Sequence, residues 1–128
     1  MIYLDTNVIL RYLLNDNDRF YDQAREYLEN KEVFIKNEVL AEVVYVLNKT
    51  YSVPKDIVSN TLREMLANHN IHTDSTEVCL LALSIFQEQN IDFVDGLLCA
   101  YRRVMGFEVH SFDKKLNRCI QSPITDHP

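Results

Sequence analysis

Short apolar runs alternate with long helical stretches in this chain, and that alternation decides its fold class. Ile2-Tyr3-Leu4, Val33-Phe34-Ile35 and Ile71-His72-Thr73 read as short strands, and Phe107 to His110 alternates weakly as a further one. Between them apolar residues recur at helical spacing, as in Val8, Ile9, Tyr12 and Leu13, then Phe20, Ala24, Tyr27 and Leu28, and later Ile57, Leu62, Met65 and Leu66. Glu38 to Thr50 is nearly all apolar and predicts a central helix capped by Asn37. Ser75-Thr76-Glu77 opens a helix containing Val78, Leu81, Ala82 and Ile85; Asp92 begins another that Gly106 stops, and Asp113 caps a short last one. Asn15 to Asp18 breaks the first helix from the second, and Thr6-Asn7 stands where the first can be capped. Strands separated by helices pair in parallel through crossover connections, so the expected class is α/β.

The chain of 128 residues, 47% apolar and 25% charged, is expected to be one domain over 1–128, with a loose tail from about 121 to 128. Only two glycines and three prolines fit many helices and few tight turns. No apolar run reaches the roughly 20 residues that span a bilayer, and Met1 leads straight into Ile-Tyr-Leu-Asp without a basic leader. The expected compartment is the cytoplasm, with no membrane partner. Cys79, Cys99 and Cys119 form no C-x-x-C and are read as reduced core residues; the four histidines have no metal-ligand spacing.

Four carboxylates carry the functional signal. Asp5, Glu42, Asp95 and Asp113 sit in the apolar segments IYLDTN, VLAEVVYVL, IDFVDGLLCAY and VHSFDKKL, where an uncompensated charge is costly. Each has a structural explanation. Asp5 and Asp113 stand where helix caps are expected; Asp92 and Asp95 resemble a capping box with Asp92 as the cap. Glu42 is the only charged residue from Val39 to Leu47, although Glu38 lies four residues back on the same helix face. Taken together they point elsewhere, because ligand sites of parallel α/β sheets form at the carboxyl ends of strands, and Asp5 and Asp113 follow the first and last apolar runs. Helix N-termini ease negative charge by only about 0.3–1 kcal/mol, too little for several carboxylates to share a pocket. A hard divalent cation, magnesium or manganese, prefers such oxygen ligands. One ion activates a water and neutralises a phosphodiester; two ions about 4 Å apart would hold both attacking and leaving oxygens.

No Ser, Cys or His constellation competes as a nucleophile. Ser111 is expected to hydrogen-bond a ligand carboxylate and Asn7 to orient water or Asp5. Arg102, Arg103, Lys114, Lys115 and Arg118 lie close in sequence to Asp95 and Asp113, and read either as a solvated helix face or as a phosphate-binding surface for a nucleic-acid backbone. The net charge of −6 argues against a nonspecific nucleic-acid coat. A noncatalytic module in which the acids only cap helices stays open. A phosphatase is disfavoured, since DTN after the first strand lacks the second aspartate of a D-x-D pair.

The fragments YLDTNVIL, NEVLAEVVYVL, IDFVDGLLCA and HSFDKKL, in this order and spanning Ile2 to about Leu116, resemble the PIN-domain ribonucleases, and among them the VapC-type toxins of toxin–antitoxin pairs. The resemblance implies a three-layer α/β/α fold with a short central parallel sheet, and Mg2+- or Mn2+-dependent endonuclease activity on RNA. It places the family's acids on Asp5, Glu42, Asp95 and Asp113, its asparagine on Asn7 and its Ser/Thr on Ser111. Thr6 between Asp5 and Asn7 is a supporting position, and Asp92 stands where only some members carry an acid. Gly96 replaces the alanine common after the third acid. The resemblance also implies a cognate antitoxin and a homodimer; a housekeeping RNA-processing nuclease of the same family is the alternative.

Overall fold

A computed structural model of the chain describes residues 1–15 and 19–122. It is built as two compact units, Met1–Thr76 and Glu77–Pro128. The first holds β1 (Ile2–Tyr3), α1 (Thr6–Leu14), α2 (Arg19–Asn30), β2 (Val33–Ile35), α3 (Asn37–Tyr45), α4 (Lys55–Leu66) and β3 (Ile71–Thr73). The strands pair in parallel in the order β1-β2-β3, with Ile2 opposite Val33, and Phe34 opposite both Tyr3 and His72. Period-two alternation buries Val33 and Ile35 of the central strand on one face. On the other face Phe34 meets Tyr3 edge-to-face at 5.6 Å, and the Lys36 ammonium lies 5.2 Å from the Tyr3 ring centre.

The helices around this sheet bury most of the positions their spacing predicts, but Phe20 at the start of α2 and Ile57 at the start of α4 are exposed. Ala24 and Leu28 are buried on α2, and Val58, Leu62, Met65 and Leu66 on α4. Asn70, itself buried, donates from Nδ2 to the carbonyls of Leu28 and Lys31, both at 2.8 Å, and so ties the end of α2 to the entrance of β3. Loss of such a side chain strands buried carbonyls, at a cost of about 2 kcal/mol.

α3 departs from its expected character. Leu40, Val43 and Val44 are buried, but Glu38, Glu42 and Tyr45 are exposed, so one face packs and the other meets solvent. The helix begins at Asn37 with Lys36 as N-cap and no side-chain cap bond, so Asn37 is not the cap. From Val46–Thr50 it continues as a π-helical turn rather than α-helix, closed by the Tyr51 N–H on the Val46 carbonyl. The break after α1 is also physical: Asn15 takes the left-handed conformation (φ 47°) and returns its N–H to the Arg11 carbonyl. The remainder of the expected break, 16–18, lies outside the described residues.

The second unit is built on α5 (Thr76–Gln89), α6 (Phe93–Met105) and α7 (Lys114–Gln121). Gly106 ends α6 at φ 70° and donates its N–H to the Arg102 carbonyl, as expected of a glycine past a helix C-terminus. Gly96 proves to be a packing residue. A Cβ there would lie 3.1 Å from the Ala82 carbonyl oxygen, so α5 and α6 cross with backbone nearly against backbone. Its absent side chain therefore permits this close approach.

Two expectations are corrected here. Cys99 and Cys119 form a disulfide joining α6 to α7, whereas Cys79 is a buried thiol outside any disulfide. A 20-residue separation hides that proximity from the sequence. The expected strand from Phe107 to His110 is not formed. The chain leaves the Gly106 cap folded back on α6, where the Phe107 ring stacks on Tyr101 at 5.7 Å. The helix capped by Asp113 forms as expected and runs to Gln121; the expected tail beyond Ser122 lies outside the described residues. No helix among the described residues is long and apolar enough to cross a membrane.

One interaction in the first unit is pH-sensitive. The Tyr12 hydroxyl donates to Glu29 Oε2 at 2.8 Å, linking α1 to α2. Burial, then the hydrogen bond to Glu29 and its negative charge, push the Tyr12 phenol up to about 12. An unfolded tyrosine ionises near ~10. This contribution to stability is therefore complete below about pH 10 and is lost as pH rises through about 12. Urea unfolding followed across that range should show an alkaline loss of stability that is smaller in Tyr12→Phe.

Candidate active site

The sequence-nominated acids fall into both units. Asp5 is the N-cap of α1, and its Oδ1 accepts the Val8 N–H at 3.1 Å. The cap is thus Asp5 itself; Thr6, which is buried, is the first helical residue, and Asn7 follows it, exposed. Glu42 projects from the exposed face of α3, four residues after exposed Glu38, so its apolar neighbours in sequence do not enclose it. The surface-stripe geometry is the observed one for Glu42.

In the second unit the structure brings acids together. Asp95 lies one turn into α6, half-buried, and its carboxyl is raised above the ordinary aspartate range. Desolvation by burial is the largest cause, followed by the negative charges of Asp92 and Asp113. Asp92 is the N-cap of α6 by position, yet its side chain makes no cap hydrogen bond, so the capping-box resemblance of Asp92 and Asp95 is not realised. Asp113 caps α7, its Oδ1 accepting the Leu116 N–H at 2.9 Å. In Asp5 and Asp113 alike the cap engages Oδ1 and leaves Oδ2 free of that bond.

Asp92, Asp95 and Asp113 line one open cleft of about 580 Å³, and Lys114, Lys115 and Arg118 line it with them. Three carboxylates and three cations therefore share one concave surface, built by the first turns of α6 and α7. The all-oxygen donor set suits a hard divalent cation, and the crowding felt by Asp95 is the imbalance that such a cation relieves. Among the described residues no group of three or more His, Cys, Asp or Glu side chains is drawn close enough to form a ready-made metal cage.

The supporting residues act differently from their expected roles. Ser111 Oγ accepts the backbone N–H of Asp113 at 2.9 Å, so it fixes the backbone of the acid and not its carboxylate. Asn117, which sequence reasoning passed over, donates from Nδ2 to the Ser111 carbonyl at 2.8 Å and braces the same turn. Its signal was a poor helix former placed one turn after an N-cap. The basic cluster divides. Arg103 donates from Nη2 to the Cys119 carbonyl near the end of α7, and Arg102 and Arg103 occupy the last turn of α6, where a cation suits the helix dipole. Neither lines the acid cleft; Lys114, Lys115 and Arg118 do.

The PIN domain family profile matches residues 2–119, nearly the whole chain. The chain belongs to the PIN domain family. A VapC ribonuclease of Aquifex aeolicus (strain VF5) is 24% identical over 123 residues, 92% of this chain and 91% of that protein. No solved structure matches significantly. The three-stranded parallel sheet and surrounding helices of this PIN domain agree with the family's α/β/α fold, and the family match runs through both compact units.

The caps give a direct test of what each aspartate does for this PIN domain's stability. Asp113→Ala removes the acceptor and should cost about 1 kcal/mol in urea unfolding, while Asp113→Asn keeps an acceptor and should cost only a few tenths.

Proposed function

We propose that this PIN domain is a divalent-metal-dependent RNA endonuclease, the toxin member of a toxin–antitoxin pair. The observation that carries the reading is the cleft in which Asp95 is crowded by Asp92 and Asp113 while Lys114, Lys115 and Arg118 stand on the same surface. Such a surface attracts a polyanion at its cationic side and repels it from the carboxylates. A phosphodiester can approach the acids only if their charge is first neutralised, which is the physical ground for metal dependence. A bound Mg2+ or Mn2+ would supply the Lewis acidity that activates a water and offsets charge on the attacked phosphodiester.

In this reading Asp5, Glu42, Asp95 and Asp113 are the acids that bind metal and serve catalysis, and Asp92 adds negative charge beside Asp95. Asn7, next to Thr6 in the first turn of α1, orients water or Asp5. Ser111 holds the Asp113 backbone in place. Lys114, Lys115 and Arg118 guide the RNA backbone. Family membership and the relationship to a VapC ribonuclease support the choice of RNA and of a toxin. The carboxylates of the same cleft would suit an arginine-bearing segment of a cognate antitoxin. A homodimer follows from the family likeness, and the exposed aromatic residues Tyr3, Phe20 and Tyr45 offer apolar surface for it.

The capping-only reading has its own support, because Asp5 and Asp113 do cap helices. Asparagine substitution separates the two, since asparagine caps as well as aspartate but carries no charge. Purified protein should cut RNA when Mg2+ or Mn2+ is supplied and stop on chelation. Asp5→Asn should lower cleavage at least about a hundredfold, with an unchanged circular dichroism spectrum and unfolding midpoint. Cleavage equal to that of the parent would remove the catalytic role of Asp5.

Charge reversal at Lys114 and Lys115 tests the cationic side separately. RNA affinity should fall, and the slope of log affinity against log salt should become shallower by about 0.7 for each phosphate no longer neutralised. An unaltered slope would return both lysines to solvated surface.

A further inference from the structure

Phe112 stands apart from every other aromatic residue described. It is fully exposed, at 106% of its reference area, while its chain neighbours are fixed on both sides. Ser111 accepts the Asp113 N–H through Oγ and the Asn117 amide through its carbonyl, and Asp113 caps α7. The backbone that carries the ring is therefore held by three hydrogen bonds, and the ring itself points into water. An isolated exposed apolar side chain is ordinary on a protein surface. A rigidly mounted one dividing two clefts calls for more. On one side Phe112 lines the cleft of Asp95, Asp113, Lys114 and Lys115; on the other it lines a hollow of about 340 Å³ shared with His110, Asn117 and Gln121.

We propose that Phe112 is the stacking platform for an unpaired base of single-stranded RNA, next to the phosphodiester held at the acid cleft. This rests on the nuclease reading above and adds to it the residue that would contact a base. An aromatic ring accepts any base on its π-face, and an adjoining cationic groove tracks the backbone. Both elements are present here on one surface, with Lys114, Lys115 and Arg118 as the cations. The second hollow is lined by His110, Asn117 and Gln121; with the Asn117 side-chain N–H spent on the Ser111 carbonyl, the His110 imidazole and Gln121 amide are the groups that suit the edge of a base whose face lies on Phe112. Bases inside a duplex are already stacked and cannot reach the ring, so the arrangement selects unpaired RNA. A ring held by a braced turn also loses little freedom on binding.

The test uses the full chain with Asp5→Asn as parent, so that RNA is bound and not cut, and reads fluorescence anisotropy with three labelled oligonucleotides. These are a short single strand of mixed sequence, the same strand carrying abasic sites, and its duplex. Phe112→Ala should weaken the single strand about tenfold or more. Phe112→Tyr should stay close to the parent. Duplex and abasic binding should be indifferent to both changes. With all acids intact, Phe112→Ala should raise KM for single-stranded RNA more than it lowers kcat. Unchanged single-strand affinity in Phe112→Ala would overturn the platform, and altered self-association instead would assign the ring to a protein interface. An equal loss on all three oligonucleotides would also overturn it, since a stacking interaction cannot weaken a strand that lacks the base. Failure of the unsubstituted chain to cut RNA with either metal would sink the nuclease reading, a result read independently of the anisotropy.

Discussion

Like charges held near one another in a partly desolvated place resist ionisation, and Asp95 meets that resistance from its own burial and from Asp92 and Asp113. The second unit is arranged around this crowding. The first turn of α6 carries Asp95, the N-cap of α7 supplies Asp113, and the Cys99–Cys119 disulfide joins the two helices further along. Gly96 beside Asp95 lets α5 approach to near backbone contact at Ala82. The surface that results holds both signs of charge, as the proposed polyanionic substrate and cationic cofactor would require.

Capping and chemistry are compatible uses of one side chain. A carboxylate has two oxygens, and the N-cap bond of Asp5 or Asp113 occupies Oδ1. The cap thereby orients the acid at the positive end of a helix dipole, where negative charge is eased, and leaves Oδ2 outside that bond. The capping explanation and the catalytic one describe the same geometry at different oxygens. Ser111 and Asn117 extend the principle one step back, since they hold the backbone that holds the acid.

The sequence misled where proximity depended on distant partners. Phe107 to His110 alternates like a strand, but the ring stacking of Phe107 on Tyr101 and the left-handed turn at Gly106 draw it back to α6. Glu42 looked enclosed because its sequence neighbours are apolar; on the helix only Leu40, Val43 and Val44 turn inward, and Glu42 is exposed. Arg103 looked like a partner for RNA, yet it satisfies the Cys119 carbonyl near the end of α7. Cys99 and Cys119 looked like unrelated core thiols, and no spacing rule brings them together.

Local pattern fixed the parts of this protein that rest on short-range physics. The parallel α/β class, the three strands Ile2–Tyr3, Val33–Ile35 and Ile71–Thr73, the buried faces of α2 and α4, the stop at Gly106 and the cap at Asp113 all follow from residue period and backbone preference within a few residues. Tertiary structure alone decided which acids crowd one another, which cations share their cleft, and that Phe112 is held out into solvent between two hollows. Those outcomes depend on where helices cross and how turns are braced, and through-space electrostatics between residues far apart in the chain, such as Asp95 and Asp113, leaves no periodic trace in a sequence.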